Sequence, residues 1–330
     1  MNETSMDKRL GNESFGDENL GGESSADPSP LAAPAVTASR RSAKPVLLIY
    51  ANCQADHLAK VLPRVPEAAD QVAVKYLFIH SLEEPGLTWD TYPSDYLDGV
   101  TCVWEQISEA FPGPREELHR RLPSGVRRIR FPALTASMIW PFAAPDPRPS
   151  KRNLYMYGDS IAARLGMRLA GKLVTDDEIF EEYMAVSSRR MPDLDRRLEL
   201  EEWAWRKRDL ESDFAAADYL HANFRRTQLF YEPGRITRDP LLYLMSQLVL
   251  ATFDGPWSGG AEILAALQQL LRYHVGYDTI SQPVHPMVAE RLKLHWYDPE
   301  ARYRWFAHDW SFREWVVRCV RFTPYVATLY

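Results

Sequence analysis

An α/β fold with a parallel sheet flanked by helices is predicted by three observations. Four short strands are read at Val46–Tyr50, Val72–Ile79, Val100–Trp104 and Val126–Phe131, the first a continuous apolar run. Helical patterns alternate with them, as in βαβ units. The first run, Val46-Leu47-Leu48-Ile49-Tyr50, ends in the small polar turn Ala51-Asn52-Cys53-Gln54, and an amphipathic stretch follows. That is the pattern of a strand running directly into a helix.

The elements follow in order. Residues 1–44 are rich in Gly, Ser, Asn, Glu, Asp, Ala and Pro, with almost no large apolar side chains, and read as a disordered tail. The folded domain is expected over 45–330. A helix from about Ala55 to Leu62 is stopped by Pro63 and Pro66. Glu105-Gln106 is placed just beyond the third strand, and Leu118–Leu122 reads as helical. Phe131-Pro132-Ala133-Leu134 and Ile139-Trp140-Pro141-Phe142 are apolar and proline-punctuated, and suit core packing or a pocket wall. Gly158-Asp159-Ser160 precedes a helix from Ile161 to Leu169. Residues of about 176–226 form a charged helical insertion, read as a hairpin whose charges are mostly a solvated face. Helices are expected at Pro240–Thr252, Ala261–Leu271, Val288–Leu294 and Phe312–Phe322, making the C-terminal part helical.

Composition narrows the function classes. The 330 residues are 45% hydrophobic and 12% aromatic, enough for a large core. A net charge of −6 argues against a general nucleic-acid binder. The three cysteines, Cys53, Cys102 and Cys319, are odd in number and widely spaced. They predict neither a disulfide framework nor a CxxC metal site, and fit a reducing, cytoplasmic setting. No run spans a bilayer, and the N-terminus lacks a signal peptide's basic start and apolar core. No metal is expected, since no histidine pair has a zinc-protease arrangement, and there is neither a Walker loop nor a GxGxxG. Oligomeric state is left open.

The candidate chemistry centres on Cys53. In a parallel sheet, ligands bind beyond the carboxyl ends of strands. The first helical turn offers unpaired N–H groups and partial positive charge, which favour a thiolate and an oxyanion. The plainer reading is a small buried thiol beside an N-capping Asn52. A cysteine nucleophile needs a base. Among the eight histidines, His285 stands in an irregular proline-flanked segment, Pro283-Val284-His285-Pro286. His57, one helical turn past Cys53, is a second candidate. A competing nucleophile is Ser160, because Gly158-Asp159-Ser160-Ile161 resembles the first block of GDSL-type (SGNH) hydrolases. The rest of that pattern departs: there is no Gly-x-Asn-Asp, and the one Asp-x-x-His, Asp218 to His221, lies inside the charged helical stretch.

Several short motifs in shared order resemble the WcbI-type family of polysaccharide-biosynthesis proteins. They are Ala51-Asn52-Cys53-Gln54, a strand ending in Gln106, Phe131-Pro132-Ala133-Leu134 with Trp140-Pro141, Tyr157-Gly158-Asp159, Asn223-Phe224-Arg225 with Leu229-Phe230, and Pro283-Val284-His285-Pro286. The family's first block carries glycine where this chain has Ala51, and Asp239-Pro240 stands where a His-Pro is expected. The resemblance covers roughly residues 45–300. It implies an SGNH-like fold and acyl (acetyl) transfer from coenzyme A to a hydroxyl of a sugar or related metabolite. It implies Cys53, His285 and Asp159 as catalytic residues, and Asn52, Gln54, Gln106, Tyr157 and Gly158 as the oxyanion and substrate site. Arg225 and Arg226 are candidates for the phosphates of acetyl-CoA, since guanidinium groups suit phosphate. The alternatives are an ester or thioester hydrolase on the same fold and a non-catalytic ligand-binding module.

Overall fold

Six consecutive buried residues make the first strand, β1 (Val46–Ala51), and they explain the architecture around it. A strand with no solvated side chain needs cover on both faces, which is the environment of a central parallel strand. The computed structural model describes residues 44–52, 54–79, 92–108, 112–148, 158–255, 257–272 and 280–322. Apart from Lys44, the tail expected over 1–44 lies outside the described residues, as do Cys53 and Tyr157.

β1 lies between β2 (Ala73–Phe78) and β3 (Val100–Ile107), and β4 (Arg127–Pro132) completes a four-stranded sheet in the order β2-β1-β3-β4. All three pairings are parallel. Alternate residues serve two cores. Leu47, Ile49, Ala51, Cys102, Trp104, Ile129 and Phe131 join one cluster; Val46, Leu48, Tyr50 and Val103 join the other. The first cluster is covered by α1 (Gln54–Val61), the single turn α2 (Pro66–Ala69), α8 (Arg238–Thr252) and α9 (Gly260–Leu271). Trp104 Nε1 donates to Thr252 Oγ1 at 2.7 Å and so pins β3 to the end of α8. The second face receives Leu118 of α3 (Pro112–Arg121) and the segment carrying Tyr92, Tyr96 and Leu97.

Two expectations are corrected here. Glu105 and Gln106 belong to β3 rather than lying past it, because the strand runs to Ile107. Alternation then sends the two side chains to opposite faces. Glu105 is buried on the α3 side, 3.0 Å from His119 Nε2, with Arg115 and Arg128 farther off. The charged segment is also more than a solvated hairpin. It forms α5 (Asp176–Arg190), α6 (Leu194–Glu211) and α7 (Ala217–Asn223). From α6, Glu201, Trp205 and Arg208 are buried. Trp205 Nε1 donates to Thr135 O, Arg208 Nη1 to Ala133 O, and Thr135 Oγ1 to Glu201. The helix therefore clamps the loop that leaves β4.

A further core joins α4 (Ser160–Leu169), α5, and α11 (Phe312–Val320) with the hairpin β7 (Tyr303–Trp305) and β8 (His308–Trp310). That hairpin and a smaller one, β5 (Phe230–Glu232) with β6 (Arg235–Ile236), are absent from the sequence reading. Both pair only two or three residues, too short for an alternating pattern. α10 (Pro286–Leu292) ends two residues before the expected Leu294, with Lys293 in the left-handed region at φ 56°. No described helix is long and apolar enough to cross a membrane.

Candidate active site

At the carboxyl end of β1 the chain turns through Asn52 into α1, and the turn is held by a closed set of hydrogen bonds. Asn52 N–H donates to Gln106 Oε1 at 2.9 Å. Asn52 Oδ1 accepts from Gln54 N–H at 2.9 Å. Gln106 Nε2 donates to Gln54 Oε1 at 2.7 Å. Gln54 Nε2 gives its two hydrogens to Leu134 O at 2.7 Å and Gly234 O at 3.1 Å. Both glutamine side chains are buried. Gln106 reaches this set because it shares the β3 face of Cys102 and Trp104, the face that α1 covers. Four parts of the chain thus meet at Asn52 and Gln54: the ends of β1 and β3, the loop after β4, and the β5–β6 turn.

This geometry bears on the oxyanion expectation. The Gln54 N–H is already taken by Asn52 Oδ1, and Gln54's side chain is used in full. These two residues, with Gln106, act on the turn by fixing its shape. Cys53 itself lies outside the described residues.

Asp159 and His285 meet at a second, neighbouring cluster. Asp159 N-caps α4: its Oδ1 accepts from Ile161 N and Ala162 N, each at 2.8 Å. Its Oδ2 accepts from Tyr183 Oη at 2.7 Å. These bonds favour the carboxylate, yet complete burial outweighs them and pushes the acid up to about 6. His285 N-caps α10, with Nδ1 accepting from Met287 N–H at 3.2 Å. A neutral ring that accepts at Nδ1 carries its proton on Nε2. Nε2 therefore donates to Ser187 Oγ at 3.0 Å, and Ser187 in turn donates to Met184 O at 3.1 Å. Phe142, Tyr183 and Phe312 surround the imidazole at 5.6 to 6.1 Å between centroids. Burial holds its pKa down, at about 4. As placed, His285 is a neutral ring with both nitrogens engaged.

Asp159, Tyr183 and His285 line one cavity of about 20 Å³ with Trp140, Gln282 and Trp315. That is room for a water or a single hydroxyl. Two of the wall residues carry buried polar atoms without a partner, the acceptor Gln282 Oε1 and the donor Trp315 Nε1. A hydroxyl is both donor and acceptor, so one such group answers both needs. The two clusters share their walls: Gly234 binds Gln54, while Tyr231, three residues earlier, accepts from Gln282 N at 2.8 Å. Gly158, buried, accepts from Ala144 N through its carbonyl at 2.9 Å, stitching the cavity's rim.

The remaining expected residues lie elsewhere. Arg225 stacks on Phe224 and donates through Nε to Leu292 O at 3.2 Å, which ties α7 to the end of α10. Arg226 is exposed beside it. Ser160 is the first residue of α4. His57 is buried on α1. Among the described residues no group of three metal-ligating side chains comes together. Tyr183, Ser187, Gln282 and Trp315 escaped the sequence reading. The first two were legible in principle, since Ile179, Tyr183 and Ser187 recur every four residues and are the buried stripe of α5.

Comparison with known proteins agrees with this architecture. The sequence profile of the family described as "Polysaccharide biosynthesis enzyme WcbI" matches residues 46–253. A solved structure described as WcbI, a novel polysaccharide biosynthesis enzyme, without a disulfide bond between COA and a cysteine, is similar in fold. Its TM-score is 0.53 at 17% identity, over 87% of this chain and 96% of that one. A comparison with curated proteins finds no match. The family profile spans both sides of the Asn52–Gln54 turn and most of the chain that supports it, and this chain belongs to the WcbI family of polysaccharide biosynthesis enzymes.

Proposed function

We propose that the chain transfers an acyl group, acetyl in the simplest case, from coenzyme A to a hydroxyl of a sugar or related metabolite. The observation that carries this reading is the closed hydrogen-bond set that holds the turn around Cys53 at the carboxyl end of the central strand. Such a set commits three hydrogen bonds to the shape of one turn, which suits a preorganised reacting centre. A coenzyme A thioester is chosen as donor because the solved WcbI structure is described by reference to coenzyme A and a cysteine, as the form without a disulfide bond between them.

In the proposed reaction, the Cys53 thiolate attacks the thioester carbonyl, and the coenzyme A thiolate leaves. The acceptor hydroxyl then attacks the acyl-cysteine carbonyl, its proton passes to a base, and the Cys53–acyl C–S bond breaks to release the Cys53 thiolate for the next turnover. Asp159, at about 6, suits that base better near neutral pH than His285, at about 4. His285 then acts as a neutral ring that shapes the cavity, a change from the role expected of it. Gln282 Oε1 and Trp315 Nε1 offer the acceptor and donor that a hydroxyl requires. Gln54, Gln106 and Asn52 position the turn, Gly158 borders the hydroxyl side, and Tyr157 keeps the substrate-binding role expected of it. Arg226 is the freer of the two arginines proposed for phosphates. The catalytic unit is taken as residues 45–330 on an SGNH-like plan, with 1–44 a tail, acting in the cytoplasm without a metal.

The test is to incubate the purified protein with acetyl-CoA and a panel of sugars, following free thiol and intact mass. Acceptor-dependent release of coenzyme A is expected, and a +42 Da adduct on the protein that Cys53→Ala abolishes. Release that ignores the acceptor would make the protein a hydrolase. Full activity of Cys53→Ala would remove the acyl-cysteine step. Absence of both binding and turnover of acetyl-CoA would leave a ligand-binding module.

A further inference from the structure

We infer that a groove between α4 and α5, lined by Arg164, Arg168 and Arg190, binds a phosphate or pyrophosphate group. Ile161, Arg164, Leu165 and Arg168 fall at the spacing of one helix face, as do Val186 and Arg190 on the neighbouring helix. Together they line a cavity of about 180 Å³ whose apolar members are Ile161, Leu165 and Val186. Its polar members are all arginines. Pockets that enclose a whole ligand run from about 300 to 1,000 Å³, so this one is sized for one group of a larger molecule.

The charges around it are not balanced from within. Arg168 pairs with Glu182 at 2.6 Å. Among the described residues, neither Arg164 nor Arg190 has a hydrogen-bond or ion-pair partner. Elsewhere on α5, Asp176 and Asp177, in its first turn, are taken by Arg321 and Arg313. Three guanidiniums against one carboxylate leave two positive charges facing one concavity. Like charges at such range repel, and an anion entering between them relieves the repulsion. The planar forks of arginine match phosphate oxygens two at a time.

Position relates the groove to the reaction centre. Ile161 lines the groove and also donates its N–H to Asp159. At 1.5 Å per residue, Arg164 and Arg168 lie roughly 8 and 14 Å along α4 from Asp159. A ligand with a reacting end and an anionic handle about that far apart would engage both. The anion site stands on the arginines alone. That the handle belongs to a reactant rests on the acyl-transfer reading, and the donor's phosphates or a nucleotide-linked acceptor could supply it.

Calorimetric titration with inorganic pyrophosphate at low ionic strength tests the site, comparing the full chain with Arg164→Gln/Arg190→Gln. All three arginines are exposed, so the variant leaves the core intact. Saturable binding by the native protein is expected, with a loss of about tenfold or more in the variant. Equal binding by both proteins, or no saturable binding by the native one, overturns the site. The same titration with coenzyme A and with a nucleoside diphosphate sugar names the source: it is the ligand whose affinity falls in the variant. If neither falls while pyrophosphate does, the groove holds an adventitious ion only, and its assignment to a reactant is overturned. Failure of acyl transfer with pyrophosphate binding intact refutes the functional reading and leaves the site standing.

Discussion

Gln54→Leu is the sharpest test of the hydrogen-bond set at the centre of the molecule. The substitution keeps the bulk of the side chain and removes three contacts. Leu134 O and Gly234 O lose their donor, and Gln106 Nε2 loses its acceptor. Both carbonyls belong to buried residues, and Gln106 is fully enclosed. A buried polar group left without a partner costs about 1–3 kcal/mol. Two such groups, Leu134 O and Gln106 Nε2, offset by the apolar gain of leucine, predict a net loss of about 2–4 kcal/mol. For a folded unit of this size that is a fall in Tm of roughly 3–7 °C, read by calorimetry or circular dichroism. Gln106→Leu strands Asn52 N–H and Gln54 Oε1 instead, and the double variant removes their shared bond. The pair is therefore expected to be non-additive, by about 0.5–3 kcal/mol. A Gln54→Leu protein within about 1 kcal/mol of the native one, or strict additivity with Gln106→Leu, would refute the argument that this set fixes the turn.

Asp159 and His285 should impose opposite pH dependences on stability. His285 falls from 6.5 to about 4 on folding, so between those values the unfolded chain holds a proton that the folded one lacks, and stability drops as pH falls. Asp159 rises from 3.8 to about 6, so in that window the folded chain holds the extra proton, and stability rises as pH falls. From pH 7 to 5 the two contributions are about 2 and about 1 kcal/mol and largely cancel. Denaturant titration, referenced to the native protein, should find Asp159→Asn more acid-sensitive and His285→Gln less so; the same slope in both would contradict the assigned environments. Cys102, pushed by burial to about 12, should resist a thiol reagent such as DTNB at pH 8 in the native state and react once urea unfolds the chain. Rapid native labelling at Cys102, located by peptide mapping, would show that its side of the sheet opens readily.

The sequence reading and the structure part company at identifiable residues. The parallel sheet was legible chiefly through its two inner strands, β1 and β3, which are buried on both faces and read as apolar runs; β4, with Arg127, Arg128 and Arg130 about its buried Ile129 and Phe131, alternates as an edge strand does. Helix starts were legible where the signal is local, as at Gly158-Asp159-Ser160 before α4 and at the acids Asp176-Asp177-Glu178 in the first turn of α5. The motif around Cys53 was legible as a strand running into a helix, and its likeness to WcbI-type proteins is matched by the family profile over 46–253. What Gln54 binds was not legible. Its partners, Leu134 and Gly234, are backbone carbonyls 80 and 180 residues away, and a carbonyl leaves no mark on residue type.

The same reason separates what residue types determine from what only packing decides. Apolar period, proline stops and capping residues act over a few positions, so the chain states them directly. Protonation is different. A histidine in a proline-flanked segment suggests a base, yet enclosure by Phe142, Tyr183 and Phe312 makes His285 a neutral ring. An aspartate at a helix start suggests a plain cap, yet burial brings Asp159 close to neutral pH. Desolvation is a property of everything gathered around a group, and residues drawn from distant parts of the chain gather only in the folded molecule.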